Sequence, residues 1–118
     1  MTTIAMSNLS SKRCVPCEGG REPLSREQAT ELQKELDQEW MLVDDAHLLA
    51  RTFRFPDFKT AMQFANDIAR IAELEGHHPD LTISWGSVGV ELSTHAIGGL
   101  SENDFILASK IDELPSKR

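Results

Sequence analysis

The segment from Phe58 to Ala72 has the strongest periodic pattern in the chain, and it predicts a long amphipathic helix. Its apolar residues fall at i, i+3, i+4, i+7, i+10, i+11 and i+14. Asp57 is placed to cap the start of a helix over 58–75, and Gly76 occupies the position that ends it. A helix with one apolar face must bury that face against another layer, and its small alanines favour close packing on a sheet.

Alternating apolar and polar residues supply the strands of that sheet. The predicted strands are 40–43, 48–55, 81–86 and 88–95, the last two joined by a tight turn. Two further helices, 26–38 and 102–114, each begin with a capping box. The boxes pair Ser25 with Gln28 and Ser101 with Asp104.

The resulting order, α-β-β-α-β-β-α, predicts an α+β fold in which three helices cover one face of a four-stranded antiparallel sheet. Residues 1–22 are polar and aperiodic, so we expect a flexible N-terminal extension before a single domain over 23–115 and a tail over 116–118. The opposite face of the sheet is left bare and is a place for a partner subunit. Arg51 shares the parity of the apolar residues in its strand, so it either lies at the strand's edge or reaches a carboxylate.

Charge and composition exclude several classes of function. The formal net charge is −7, and an acidic domain repels a phosphate backbone, so nucleic acid is not an expected partner. No apolar run is long enough to span a bilayer, so no membrane association is expected. The first residues lack the pattern of a secretory signal, and we expect a cytoplasmic protein.

Both cysteines lie in one C-x-x-C motif, Cys14 to Cys17, which can form a redox pair or half of a zinc site. The chain has no second cysteine pair to complete a four-ligand site. The motif also precedes the globular pattern, whereas a thioredoxin-like motif follows a strand. We therefore expect a reduced, disordered segment without redox or metal chemistry.

Three of the four histidines lie close together in the sequence, at His77, His78 and His95. Pro79 forces His78 into an extended conformation, so the adjacent rings point to different sides. The predicted hairpin returns His95 to the neighbourhood of the pair. Imidazole titrates near neutral pH, so three of them in one place suggest acid–base chemistry on a small molecule.

Zinc binding is the alternative interpretation of this cluster. Asp80, Glu75 and Glu73 are near enough in sequence to add a ligand. Adjacent histidines in an extended segment do not easily converge on one ion, so acid–base catalysis is favoured. The remaining histidine, His47, is predicted to be an ordinary surface residue.

Three motifs in this region resemble the pterin-4a-carbinolamine dehydratase family, over about residues 23–114. They are Glu73-x-x-x-His77-His78-Pro79-Asp80, Leu92-Ser93-Thr94-His95 and Gly99-Leu100-Ser101-x-x-Asp104. The resemblance implies the same α+β fold, dimers joined through the sheets and commonly paired into tetramers, and no metal or cofactor. Ile97 and Asn103 stand where some animal members carry a cysteine and an arginine.

The implied reaction is loss of water from a 4a-hydroxytetrahydropterin, which aromatic amino acid hydroxylases produce, to give a quinonoid dihydropterin. As a hypothesis, His77 and His95 share the acid and base roles, while His78 orients or polarises the pterin. Glu73 holds the tautomer of one ring. The residues expected to contribute to substrate binding are Glu73, Pro79, Asp80, Ser93 and Thr94.

A non-catalytic binding module on the same fold is the competing hypothesis. Relatives of this family act as dimerisation cofactors of a transcription factor or look like Rubisco assembly chaperones. The leader around Cys14 and Cys17 resembles that of many bacterial relatives of both kinds, so it does not discriminate. The three intact imidazoles favour the enzyme, because a chaperone has no evident need of them.

Overall fold

The computed structural model describes residues 9–15 and 22–115. The helices of this part are α1 (Arg26–Gln33), α2 (Phe58–Glu75) and α3 (Glu102–Asp112). Its strands are β1 (Met41–Val43), β2 (Leu48–Arg54), β3 (Asp80–Ser84) and β4 (Ser87–Leu92). This part also contains two short 3-10 turns, Leu9–Ser11 and His95–Ile97. The predicted α-β-β-α-β-β-α order and the α+β fold are confirmed.

The four strands form one antiparallel sheet in the order β1-β2-β4-β3. The central strands β2 and β4 pair Leu49 with Leu92 and Phe53 with Val88. These four side chains are buried and face the helices, because alternate residues of a strand point to the same side. The core therefore lies between the helical layer and the two central strands.

Helix α2 begins and ends as the sequence predicts. The Asp57 carboxylate accepts a hydrogen bond from the Thr60 N–H at 2.8 Å, and Gly76 ends the helix with a φ of 67°. The buried face differs in part from the predicted one. Phe64 is buried and packs 4.7 Å from the Phe53 ring, between ring centroids, whereas Ala69 is exposed.

Several predicted elements are shorter than their sequence patterns. Helix α1 ends at Gln33 instead of residue 38, because the chain turns there and carries Trp40 into the core. The Gln33 side chain stabilises this turn by donating to the Trp40 carbonyl at 2.8 Å. The other shortened elements are β1, β2, β3, β4 and α3, which the sequence predicted as 40–43, 48–55, 81–86, 88–95 and 102–114.

The sequence left two alternatives for Arg51, a position at the strand's edge or contact with a carboxylate, and the structure shows the contact. Its Nη1 lies 2.8 Å from Oδ1 of Asp112 at the end of α3, and its side chain is only 7% exposed. The Trp40 indole N–H donates to the same carboxylate at 2.9 Å. These contacts join the sheet to the C-terminal helix.

Residues 9–15 belong to the segment that the sequence assigns to a flexible extension, and they contact the domain. Leu9 is buried in the hydrophobic core, and Lys110 of α3 donates to the Ser10 carbonyl at 2.8 Å. A lone leucine in a polar segment has no periodicity, so this packing could not be predicted from the sequence. None of the described helices combines the length and the apolar character needed to cross a bilayer.

Candidate active site

The histidine pair lies in the short link between α2 and β3. Gly76 ends α2 in the left-handed conformation, and its N–H donates to the Ala72 carbonyl at 2.9 Å. Pro79 then leads directly into β3. The two rings point to different surroundings, as expected, because the side chain of His77 is 13% exposed and that of His78 is 59% exposed.

His77 is held by a buried carboxylate from α3. Its Nε2 lies 2.6 Å from Oδ1 of Asp104, which has no solvent exposure. The other oxygen, Oδ2, accepts from the Thr94 hydroxyl at 2.8 Å and from the Ser101 backbone N–H at 2.9 Å. A carboxylate can only accept, so Nε2 of His77 carries the hydrogen and Nδ1 of the neutral ring keeps its lone pair.

His78 has an acidic partner of a different kind. Its Nε2 lies 2.6 Å from Oε2 of Glu73, one turn back along α2. The Glu73 side chain is 76% exposed, so water screens this pair and weakens it. The structure thus places Glu73 against one imidazole of the pair.

His95 reaches the pair from the other side. β4 ends at Leu92, three residues earlier than predicted, and His95 begins the 3-10 turn that follows. Thr94, just before it, bridges to Gly99 through N–H to carbonyl at 2.7 Å, which fixes where the turn leaves the sheet. The ring of His95 is therefore carried by an exposed turn beside the sheet and not by a strand.

All three imidazoles line one cleft of about 290 Å³. The cleft is lined by Gly76, His77, His78, Ser93, Thr94, His95 and Ala96. The structure thus brings together five of the residues expected at the site. The other three lie outside this lining: Glu73 contacts His78, Pro79 belongs to the link, and Asp80 is an exposed residue of β3 opposite Glu91.

Two residues of the site, Asp104 and Ser101, were not predicted to be site residues. The sequence predicted both as a capping box, which the structure has, and both belong to the third motif of the family resemblance. The box uses only one carboxylate oxygen of Asp104, so the second oxygen was a signal that this residue could serve another partner. Because Asp104 is fully buried, its hydrogen bond to His77 is stronger than the same bond would be in water.

The described residues include one cysteine and several acidic residues near the histidines, and their grouping bears on metal and thiol chemistry. Within 9–15 and 22–115, no three His, Cys, Asp or Glu side chains are grouped so that they could hold a metal ion. Burial, together with the nearby Glu75 carboxylate, raises the pKa of the Cys14 thiol to about 12. A reactive cysteine needs a lowered pKa, so Cys14 has the opposite character. Its partner in the motif, Cys17, lies outside the described residues.

The sequence of this chain is similar to those of several known proteins. The family model described as pterin 4 alpha carbinolamine dehydratase matches residues 22–114. A Rickettsia bellii protein is 53% identical over 91% of this chain and 94% of its own length. An Alkaliphilus metalliredigens protein is 46% identical over 95% of this chain and 100% of its own. Both carry the name pterin-4-alpha-carbinolamine dehydratase as a provisional assignment.

Two solved structures share the fold. The crystal structure of a transcriptional coactivator/pterin dehydratase from Brucella melitensis has a TM-score of 0.72 and 34% identity, over 77% of this chain and 96% of that one. A pterin dehydratase-like protein identified as a RuBisCO assembly factor has a TM-score of 0.54 and 20% identity, over 63% and 86%. The second likeness extends to the fold alone. From the family match and the identities of its relatives, this chain belongs to the pterin-4a-carbinolamine dehydratase family.

Proposed function

We propose that this protein dehydrates a 4a-hydroxytetrahydropterin to a quinonoid dihydropterin in tetrahydropterin recycling. The observation that carries the proposal is the cleft in which His77, His78 and His95 meet, with His77 fixed by the buried Asp104. Family membership supplies the reaction class. The cleft volume of about 290 Å³ is just below the usual range for ligand pockets, about 300–1,000 Å³, which suits a small bicyclic ring.

The reaction needs one proton delivered and one removed. The C4a–O bond breaks and its electrons leave with the hydroxyl, which takes a proton and departs as water. The N5–H bond gives up its proton, and its electrons form the C4a=N5 double bond. One protonated and one neutral imidazole provide this acid and base, each contributing about 10²–10⁴-fold.

The contacts suggest how the roles divide among the histidines. Asp104 engages Nε2 of His77, so Nδ1 is the atom left to exchange a proton with the substrate. His95 is exposed at the rim of the cleft and exchanges protons with both substrate and water. His78 orients or polarises the pterin, with Glu73 at its outer nitrogen.

Ser93 and Thr94 complete the proposed pterin pocket in different ways. The Thr94 hydroxyl donates to Asp104 and lies 2.7 Å from the Ser101 hydroxyl, so it supports the carboxylate and has no hydrogen left to donate to the substrate. Ser93 is half-buried in the cleft lining and can present its hydroxyl or backbone groups to the pyrimidinone edge.

Stopped-flow measurement of carbinolamine breakdown, with and without the protein, tests this function directly. We expect His77→Ala and His95→Ala to lower kcat by about 10²–10⁴-fold. We expect a smaller loss for His78→Ala, and full activity in that variant would remove its assigned role. His47→Ala is the matched control, because His47 is exposed and lies outside the cleft lining.

The same assay separates the enzyme from the binding-module alternative. A protein that serves only as an assembly factor or a dimerisation cofactor leaves the breakdown of the carbinolamine unaccelerated. The functional partner under the enzyme proposal is an aromatic amino acid hydroxylase, which generates the substrate. A coupled assay with such a hydroxylase should then show faster recovery of dihydropterin.

The proposal includes assembly of identical chains through the bare face of the sheet. Met41, Ala50, Thr52 and Thr82 lie on the side of the sheet that the helices do not cover, and Met41 is exposed. These side chains are small or unbranched at this face, which allows two sheets to approach closely. A second copy of this chain is the proposed occupant, in a dimer or in a tetramer built from dimers.

A further inference from the structure

Residues 12–15, which we call the strap, cross the two elements that carry the His77–Asp104 pair. The strap contacts Glu75, the last residue of α2, and Asn103, in the first turn of α3. Glu75 lies two residues before His77, and Asn103 lies immediately before Asp104. The strap therefore joins the end of α2 to the start of α3. The His77–Asp104 hydrogen bond joins the same two regions.

The contact with α2 is made through a buried carboxylate. Oε1 of Glu75 accepts from the Cys14 backbone N–H at 2.8 Å, and Oε2 lies 3.1 Å from Nε of Arg13. Nζ of Lys110, from α3, lies 3.7 Å from the same oxygen. The Glu75 side chain is only 6% exposed, so the carboxylate is shielded from water, whereas the Arg13 side chain is 70% exposed and water screens its contact.

The contact with α3 is a reciprocal pair of hydrogen bonds. The Val15 N–H donates to Oδ1 of Asn103 at 3.0 Å, and Nδ2 of Asn103 donates to the Val15 carbonyl at 2.6 Å. The Cys14 thiol adds a contact of 3.6 Å to the Asn103 carbonyl. Asn103 is buried, so this side-chain amide holds the strap in a fixed position.

We propose that Asn103 and Glu75 are positioning residues that, through the strap, fix the distance between His77 and Asp104. The length of the His77–Asp104 hydrogen bond is sensitive to small shifts of the end of α2 or of the start of α3. A second link one or two residues away restricts those shifts and keeps the imidazole aligned with its carboxylate. This inference rests on the proposed function for its effect on turnover, whereas its effect on His77 is independent of any substrate.

The experiment compares Asn103→Ala and Val15→Pro in the full-length chain. The first removes both hydrogen bonds from the side of α3, and the second removes the N–H donor from the strap. Val15 is exposed, so its replacement takes no side chain out of the core and leaves both helices intact. Asn66→Ala, at an exposed position of α2, is the matched control.

Two readouts follow each variant: the ring nitrogen and Nε2–H signals of His77 by NMR, and kcat and KM by stopped flow. We expect both strap variants to weaken the hydrogen-bonded Nε2–H signal and to lower kcat by about tenfold or more with little change in KM. Glu75→Ala should behave likewise. Glu75→Gln should be milder, because its amide oxygen still accepts from the Cys14 N–H.

The two readouts separate the possible failures. If the folded strap variants keep the His77 signals and kcat of the wild type, the positioning role is refuted. If the wild type fails to accelerate carbinolamine breakdown, the proposed function falls, and the NMR comparison still decides whether the strap fixes His77. Should Asn103→Ala fail to fold, Val15→Pro alone carries the comparison.

Discussion

The Nε2 atom of His77 lies 2.6 Å from Oδ1 of Asp104, across 27 residues of sequence. This contact joins the link after α2 to the first turn of α3. The carboxylate is fully buried and also accepts from Thr94 and Ser101, so its orientation is set by three donors. Asp104, in the first turn of α3, thus stabilises the start of that helix and also sets the tautomer of a candidate catalytic imidazole.

The first prediction concerns Asp104→Asn. The amide oxygen of the new side chain should stay with the Thr94 and Ser101 donors, which places its NH₂ group against Nε2 of His77. The neutral imidazole must then accept at Nε2 and carry its hydrogen on Nδ1, the reverse of the wild-type tautomer. We expect kcat to fall by about 10²-fold or more, by analogy with the orienting aspartate of a catalytic triad.

Stopped-flow kinetics measures this loss, and the His77 ring signals report the tautomer. Asp67→Asn is the matched control, because Asp67 forms a surface ion pair with Arg70 on α2. A kcat for Asp104→Asn within twofold of the wild type would show that the tautomer of His77 is unimportant.

Glu73 provides the second prediction, as the exposed counterpart of Asp104. Both carboxylates lie 2.6 Å from an imidazole, but Glu73 is largely solvated. We expect Glu73→Gln to change the free energy of unfolding by less than about 1 kcal/mol. Its effect on kcat should be much smaller than that of Asp104→Asn. An equal loss of kcat in the two variants contradicts the idea that burial sets the strength of these pairs.

Much of the fold could be predicted because its signals are local. Helix α2 has caps at both ends, and the strands alternate in a way that specifies which side faces the helices. The main error in length, at α1, arose because Leu36 continues the helical spacing of that segment. Burying Trp40 stabilises the protein more than one further turn of α1 would. The spacing of apolar residues in the sequence does not show which of these two alternatives is the more favourable.

The part of the site that depends on local chain geometry could be predicted from the sequence, and the part that depends on helix packing could not. The hairpin brings His95 back toward His77 and His78, so the cleft itself followed from the sequence. The partner of His77 did not follow, because its position depends on how α3 docks on the sheet. The strap was missed for the same reason, since its contacts span 61 to 90 residues of sequence.

The third prediction concerns the buried ion pair of Arg51 and Asp112. Among the described residues, Nε of Arg51 is the buried side-chain nitrogen or oxygen that has no hydrogen-bond partner. Burial raises the pKa of Asp112, and the Trp40 N–H and the Arg51 charge oppose that effect. The pair is thus costly to bury and more costly to break.

We expect Asp112→Asn alone to destabilise the protein by about 3 kcal/mol, because the buried Arg51 charge then keeps only the more exposed Asp37 carboxylate, 3.6 Å from its Nη1. Combining it with Arg51→Met should restore stability to within about 1 kcal/mol of the wild type. In Asp112→Asn and in the double variant, the side-chain amide oxygen at position 112 still accepts from the Trp40 N–H. Urea denaturation of the two single variants and the double variant gives the coupling energy, and simple additivity contradicts this account.

The fourth prediction tests the bare face of the sheet. Thr52 lies on the central strand β2, opposite Gly89 of β4, on the side away from the helices. Thr52→Arg places a long charged side chain at the middle of this face, and we expect it to convert the assembly to monomers. Gln63→Arg, at an exposed position of α2, is the control. Light scattering after size exclusion reports the mass, and a monomeric wild type refutes the proposed assembly.

The fifth prediction is a pH dependence that originates at Glu75. Burial would raise the pKa of this carboxyl, but the Cys14 N–H, Lys110 and Arg13 together hold it below its ordinary value of 4.5. The unfolded chain therefore binds a proton more readily than the folded protein does. The contribution of Glu75 to stability is complete above pH 4.5 and is lost as the pH falls through the lowered folded-state pKa.

Urea denaturation of the wild type and Glu75→Gln between about pH 3 and pH 7 measures this contribution. We expect the wild type to be the more stable at neutral pH, and the difference between the two to shrink as the pH falls below 4.5. Glu31→Gln removes one negative charge from the exposed face of α1 and controls for the change in net charge. A difference that stays constant or grows in acid contradicts a charged Glu75 beneath the strap.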